Sequence, residues 1–296
     1  MKKIALALAA ALACGGVNAA DTLAKIKSAG KIMIGTRDSS APLAYTIGDG
    51  KYVGYHVDVC LKIADAIKAA LKAPALPVEY TVVTSANRLP LVQNGTVDME
   101  CGSTTNSTAR AQQVAFAPTT FVTNVRTAVK ASSGITSIAQ LGGKTVATTT
   151  GTTSVQLLRK HEKAGGVDFK ELFGKDHADS FLLLESGRAD AFVMDDNILA
   201  GLIVNSKNPA EFKIVGESLS EEPIAIMIPK DDPVYKKLVD DTVIGLMKSG
   251  ELEKMYTRWF MSPVPPRNAI VGMPMSAALK DAIAHPNDKP VEAYKK

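Results

Sequence analysis

The sequence predicts an α/β fold with largely parallel sheets. First, its 296 residues are 46% hydrophobic and 22% charged, which is a globular composition. Second, short apolar runs alternate with stretches of helical periodicity after the first twenty residues. Third, the length allows about two domains of ~100–200 residues, each able to bury its own core.

The first half of the chain contains three predicted strands and three predicted helices. Apolar residues recur every three or four positions from 57 to 71, which predicts a helix. Asn94 and Gly95 end a second predicted helix, 86–93. In chain order the elements are strand 31–35, helix 57–71, strand 78–83, helix 86–93, strand 97–100 and a helix that carries Arg110.

The pattern restarts at about residue 125. In chain order it predicts strand 125–130, helix 138–141, strand 144–149, helix 151–163, helix 181–185, strands 191–194 and 224–228, and helices 234–247 and 252–260. Prolines 263, 265 and 266 then break the periodicity, so the tail is expected to wrap the surface or to be partly loose. The two halves could form one large sheet or two lobes.

The N-terminus has the pattern of a secretory signal peptide. Lys2 and Lys3 precede an apolar stretch, 4–13, that is too short to span a bilayer. Small residues at 17–20 offer two cleavage sites, which predicts an exported mature chain. A lipoprotein that uses Cys14 is the alternative, but the usual leucine before that cysteine is displaced by one position.

The remaining cysteines and the charge limit the function classes. Cys60 and Cys101 could form one disulfide in an oxidising compartment, or could be two buried thiols. With four scattered histidines, they match no metal-ligand spacing. The net charge of +4 without a long basic run disfavours nucleic-acid binding.

The segment 101–110 is the most informative for chemistry. Ser103 and Thr105 lie on one side of an extended segment, and Arg110 follows at the start of a helix. Two hydroxyls and a guanidinium could bind a carboxylate. The alternative is that Ser107 caps the helix while Arg110 is solvated.

This segment resembles the α-carboxylate site of the periplasmic polar amino-acid-binding proteins of ABC importers (solute-binding protein family 3). Further segments are similar to the glutamate/aspartate-binding branch of that family. They are 35–40, 84–96, 149–154, 175–181 and 194–196. The resemblance runs from about residue 23 to 266, with the segments in the family's order.

The resemblance implies a two-lobed periplasmic binding protein fold (type II), whose α/β lobes are joined by two crossing segments. Residues 1–20 would be the signal peptide, 21–125 plus 227–262 a discontinuous lobe 1, 126–226 lobe 2, and 263–296 a C-terminal tail. The implied function is capture of L-glutamate or L-aspartate between the lobes and delivery to an inner-membrane ABC permease. A monomer without a cofactor is expected, and its affinity and cognate permease stay open.

The resemblance also implies a role for each residue at the α-amino-acid end of the ligand. Arg110, Ser103 and Thr105 would hold the α-carboxylate, and Thr153 would help from the start of a lobe 2 helix. Asp195 would accept the α-ammonium. The alternative for Asp195 and its neighbour is helix capping, which Asp196 could supply while Asp195 faces the cleft.

A second cationic pocket would hold the side-chain carboxylate. Arg37, Ser85 and Arg88 follow predicted strands, where ligands of α/β sheets bind, and His177 would join them from lobe 2. A nearby anion would favour the charged form of His177. Singly, the arginines could be surface charges and His177 a capping residue. Together they favour glutamate and aspartate over glutamine.

The sequence gives less support to two other hypotheses of function. Some periplasmic dehydratases resemble the same fold, and an enzyme would need a free acid or base, for which His177 is the candidate. The sequence shows no nucleophile-elbow, Walker or metal motif. A sensory module is disfavoured because no signalling domain is recognisable.

Overall fold

The structure is a computed structural model that describes residues 21–165 and 167–294. The predicted signal peptide, with Cys14, lies outside the described residues. The α-helices are α1 (Thr22–Ala29), α2 (Tyr55–Ala70), α3 (Arg88–Gln93), α4 (Thr108–Ala111), α5 (Thr153–Gly165), α6 (His177–Glu185), α7 (Asp196–Val204), α8 (Pro233–Lys248), α9 (Glu251–Phe260) and α10 (Ala277–Ala284).

The strands form three sheets. They are β1 (Ile32–Thr36), β2 (Ser39–Ser40), β3 (Ala44–Thr46), β4 (Tyr52–Val53), β5 (Val78–Val82), β6 (Met99–Glu100), β7 (Ala115–Phe116), β8 (Phe121–Lys130), β9 (Thr145–Thr149), β10 (Lys170–Gly174), β11 (Ala191–Asp195), β12 (Phe212–Ile224) and β13 (Met227–Ile228). The first sheet has the order β5-β1-β6-β13-β7 and the second has the order β10-β9-β11-β8-β12. β2, β3 and β4 form a small antiparallel sheet.

In each large sheet three neighbouring strands are parallel, and the remaining two pairings are antiparallel. β1 runs parallel to β5 and β6, and β9 runs parallel to β10 and β11. β13 runs antiparallel to β6 and β7, and β8 runs antiparallel to β11 and β12. The predicted α/β class is therefore confirmed, and each sheet is mixed rather than wholly parallel.

Helix α2 shows how the sequence pattern produces the packing. Val59, Ile63 and Ile67 recur on one face and are fully buried in the first core. The helix begins after Gly54, whose φ of +139° is accessible to glycine. A Cβ there would lie 2.3 Å from the Leu43 carbonyl oxygen, so no other residue fits. On the same helix, Cys60 is bonded to Cys101 in a disulfide.

Strands β8 and β12 connect the two cores. They pair from Phe121 with Ile224 to Lys130 with Phe212, with a change of register along the way. Phe121 and Ile224 lie in the core of the first sheet, whereas Val125 of β8 lies in a core of the second. Two extended segments therefore pass from one core to the other.

The C-terminal tail packs against the first core. Leu279 of α10 is fully buried there. Farther along, the Val291 amide donates to the Asn106 carbonyl at 2.8 Å, and Glu292 accepts from the amide and hydroxyl of Thr108 at 2.9 Å each. Of the two expectations for the tail, a surface wrap describes it.

The predicted strand 224–228 is wrong as one strand. Ile224 ends β12, and only Met227–Ile228 continue as β13. All five residues are buried in either arrangement, so an apolar run cannot reveal the break. Several elements were not predicted from the sequence: α1, α7, α10, the small sheet, β7, β10 and most of β12. In β12 most positions before Glu222 are half-buried or exposed, which gives a weak strand pattern.

Candidate functional site

The predicted site residues lie at the carboxyl ends of parallel strands, in the loops or the first turns of the helices that follow. Adjacent parallel strands present these ends at one edge, where ligands of α/β sheets bind. The edges of the first and second sheets face each other across the site. The strands are β1 (followed by Arg37), β5 (followed by Ser85 and Arg88), β6 (followed by Ser103, Thr105 and Arg110), β9 (followed by Thr153), β10 (followed by His177) and β11 (which ends at Asp195).

A small cavity lies between the two sheet edges, with a volume of ≈ 10 Å³. This is room for about one water molecule. The cavity is lined by Ser85, Arg88, Ser103, Thr105, Thr152, Thr153, His177, Met194 and Asp195. Arg37 and Arg110 lie beside it rather than in its wall.

Arg88 is the cation that faces this cavity. It is 2% exposed, and among the described residues its buried Nε and Nη1 have no hydrogen-bond partner. Burial and the positive charge of Arg110 lower the pKa of Arg88 to about 9, although Glu100 and Asp195 act in the opposite sense. A buried cation with unused donors is poorly compensated, so this position favours an anionic ligand group.

Arg37 is already paired with an anion. Its guanidinium forms an ion pair with Asp176, from the second sheet, and donates to Ser85 Oγ at 3.2 Å. Ser39 Oγ also donates to Asp176 Oδ2, at 2.6 Å. Burial raises the pKa of Asp176, but Arg37, His177 and Ser39 outweigh it and lower that pKa to about 2. In this arrangement Arg37 holds the two sheets together, which differs from the predicted free cation.

His177 is neutral in this arrangement. Burial and the charge of Arg37 lower the pKa of His177 to about 3, against the opposing effect of Asp176. Arg37 Nη2 lies 3.2 Å from His177 Nε2, and His177 Nδ1 lies 3.0 Å from Thr149 Oγ1. A guanidinium only donates, so Nε2 accepts and Nδ1 carries the proton. An anion beside His177 was expected to favour its charged form, but the lowered pKa leaves the imidazole neutral near pH 7.

Asp195 places a carboxyl in the cavity wall. It is 4% exposed, and burial together with the carboxylates of Glu222 and Asp196 raises its pKa well above the ordinary value. A ligand cation beside it would stabilise the ionised form. Asp196 does not cap α7 with its side chain, because its Oδ1 accepts from Thr123 Oγ1 at 2.9 Å.

Arg110 bridges the two sheets at the mouth of the site. Its Nη1 donates to the Thr105 carbonyl at 2.9 Å and its Nη2 to the Gly151 carbonyl at 3.3 Å. Thr105 and Thr153 both donate their hydroxyl protons to Glu222 Oε2, at 2.7 and 2.8 Å. The structure therefore brings together the residues predicted for the α-carboxylate, but directs two of their hydroxyls to Glu222. Ser103 instead contacts Arg37, through Nη1 at 3.4 Å.

The two sheets approach closely beside the site. Gly151 has a φ of +82°, and a Cβ there would lie 2.8 Å from the backbone of Ala86. No side chain fits at this contact without separating the two loops. The arrangement is thus a tightly closed one.

Asp176 and Glu222 were not singled out by the sequence analysis. Asp176 lies within the segment 175–181 used for the resemblance. Glu222 begins the segment 222–230, which together with 121–130 was predicted to cross between the lobes. Their partners are 139 and 117 positions away in the chain, at Arg37 and Thr105. Local spacing carries no signal for such contacts. An acidic residue immediately before His177 was the one available clue.

Asp176→Asn should lower stability at neutral pH and much less in acid. Because the pKa of Asp176 is depressed, the ion pair contributes stability above about pH 4 and loses it as the pH falls towards 2. The contribution is about 2 kcal/mol, which corresponds to a loss of about 5 °C in Tm at pH 6. Calorimetry across pH checks this against the exposed control Asp168→Asn. A difference that is constant with pH would contradict it.

The part of the chain that the structure describes offers neither a metal site nor a membrane-spanning helix. It contains no group of three His, Cys, Asp or Glu side chains arranged to hold a metal ion. Within the same residues, every helix is too short or too polar to cross a bilayer.

Known proteins share both the sequence and the fold. The chain is 44% identical over 289 residues to the glutamate/aspartate import solute-binding protein of Escherichia coli K12, covering 97% of this chain and 96% of that protein. It is 43% identical to the L-glutamate/L-aspartate-binding protein of Pseudomonas aeruginosa, covering 92% and 90%. The solved cysteine-binding protein of Campylobacter jejuni is 26% identical with a TM-score of 0.70, covering 80% of this chain and 92% of that one.

These similarities confirm the predicted two-lobed periplasmic binding protein fold. Residues 32–262 match the family of bacterial extracellular solute-binding proteins, family 3, which is most of the chain. The match includes all of the predicted site residues and both crossing strands. The chain belongs to the bacterial extracellular solute-binding proteins, family 3.

Proposed function

We propose that this protein is a periplasmic receptor that binds L-glutamate and L-aspartate between its lobes and delivers them to an inner-membrane ABC importer. The observation that carries the proposal is the pairing of opposite charges in one cavity wall, with buried Arg88 on one side and buried Asp195 on the other. The names of the relatives in Escherichia coli and Pseudomonas aeruginosa point to the same ligands.

The two charges orient the ligand. Asp195 accepts the α-ammonium, and Arg88 receives the side-chain carboxylate, supported by the Ser85 hydroxyl. The α-carboxylate lies towards Arg110, whose guanidinium has five donors and uses two of them on backbone carbonyls in the closed form. Because Arg37 is neutralised by Asp176, Arg88 is the main cation for the second carboxylate.

The lobes in this proposal are 21–125 plus 227–262 and 126–226, with 263–296 as a tail that covers lobe 1. β8 and β12 are the segments about which the lobes open, since they pass through both cores. Opening breaks the Arg37–Asp176 pair and the Arg110–Gly151 contact. Hinge closure over a ligand is a common switching mode of two-domain proteins. We propose that the chain acts as a monomer after removal of residues 1–20.

A dehydratase-like enzyme is a weaker proposal. Its acid or base would be His177, whose two ring nitrogens contact Arg37 and Thr149. With its pKa lowered to about 3, this imidazole is a poor proton donor or acceptor for catalysis near neutral pH. The contacts support a structural and binding role for His177.

Calorimetric titration of refolded protein tests the proposed function. L-Glutamate and L-aspartate should bind, and L-glutamine should bind about 10- to 150-fold more weakly than L-glutamate. The reason is that glutamine cannot supply a charged acceptor to Arg88, and a charged hydrogen bond contributes ~1.5–3 kcal/mol. Glutamine binding within about threefold of glutamate would argue for a general polar amino-acid receptor instead.

A further inference from the structure

Glu222 is a buried carboxylate that joins two threonines of the site. It lies on β12, outside the cavity wall, and is 2% exposed. One of its oxygens, Oε2, accepts from Thr105 Oγ1 at 2.7 Å and from Thr153 Oγ1 at 2.8 Å. These threonines belong to opposite sheet edges, and both line the cavity.

Each threonine hydroxyl has one proton and two lone pairs. Because both hydroxyls donate their hydrogen bonds to Glu222, they can only accept on the side that faces the cavity. Asp195, when ionised, also only accepts. The wall formed by Thr105, Thr153 and Asp195 then matches an ammonium, which only donates, and repels a carboxylate.

We propose that Glu222 is a positioning residue that makes the site specific for α-amino acids over amine-free dicarboxylates. It acts through Thr105 and Thr153, whose lone pairs it directs to the ligand ammonium. This inference rests on the proposed function. It also revises the sequence-based assignment, because it places these two hydroxyls on the ammonium rather than on the α-carboxylate.

Glutarate tests this inference, because it has the chain length and both carboxylates of L-glutamate but no amine. Wild-type protein should bind L-glutamate far more tightly than glutarate. In Glu222→Met, a change of similar length and shape, the threonine protons are free to turn into the cavity. The ratio of the glutarate Kd to the L-glutamate Kd should fall about tenfold or more. Glu222→Gln keeps an acceptor oxygen and should restore most of the ratio.

One control and one further variant separate this role from a structural one. Glu221→Met changes the exposed neighbour on the same strand and should leave the ratio unchanged. Thr153→Val removes one hydroxyl while keeping the shape, so it should lower the ratio even if Glu222→Met fails to fold.

The inference is overturned if wild type binds both ligands equally, or if Glu222→Met and Thr153→Val keep the wild-type ratio. The proposed function fails separately, if wild type does not bind L-glutamate. In that case the role of Glu222 is tested with the amino acid that does bind. The Kd ratio of its deaminated analogue to that amino acid is compared between wild type and the same variants.

Discussion

Arg88→Met should weaken L-glutamate binding by about 30-fold to several thousand-fold. Removal of one partner of a buried charged pair costs roughly 2–5 kcal/mol, at about 1.4 kcal/mol per tenfold. L-Glutamine should lose much less, because its amide gains less from the guanidinium. The preference for glutamate over glutamine should therefore nearly disappear. Calorimetric titration of both ligands measures this.

A matched control for this variant is Arg188→Met, which removes an exposed arginine. It should bind both ligands as the wild type does. Thermal unfolding of the ligand-free variants shows whether each one is folded. If folded Arg88→Met kept the wild-type preference for glutamate, Arg88 would not be the side-chain carboxylate site.

The positions of the site could be predicted because they follow from topology. Arg37, Arg88 and Asp195 each follow or end a strand whose apolar run is visible in the sequence, and parallel strands gather these positions at one edge. The family resemblance added the assignment of roles. Neither the strand topology nor the family resemblance depends on how the two sheets contact each other.

The charge balance of the site could not be predicted, because it depends on the contacts between the two sheets. Arg37 looked equivalent to Arg88 in the sequence, since both follow strands of the first sheet. Only the approach of the second sheet shows that Asp176 pairs with Arg37 and leaves Arg88 without a hydrogen-bonded anion among the described residues. Glutamine is therefore expected to lose one charged contact, to Arg88, and not a second one to Arg37.

The difference in burial explains why β11 was predicted from the sequence and most of β12 was not. β11 is buried at every position, which gives a continuous apolar run. β12 is an edge strand of the second sheet, with half-buried and exposed positions between Lys213 and Glu221. Glu222, the residue that organises two site hydroxyls, therefore lay in a segment without a clear strand pattern.

Asp195→Asn should weaken binding of every α-amino acid by about 30-fold or more, while it stabilises the ligand-free protein. The loss follows from removing the counter-charge of a buried ammonium, at roughly 2–5 kcal/mol. The gain follows from the raised pKa of Asp195. The folded protein holds this proton to a higher pH than the unfolded chain does, so stability falls as the pH rises above about 4 towards the folded pKa.

An asparagine does not ionise, so at pH 7 it avoids the cost of a buried carboxylate beside Glu222 and Asp196. Calorimetry should therefore show a higher Tm for ligand-free Asp195→Asn than for wild type at pH 7, and a smaller difference at pH 4. Titration in buffers of different ionisation enthalpy adds a second readout. L-Glutamate binding should release protons from wild type where Asp195 is protonated, because the ligand ammonium favours the carboxylate, and the variant should release fewer. A variant with lower stability and unchanged proton release would indicate that Asp195 supports the fold rather than the ammonium of the ligand.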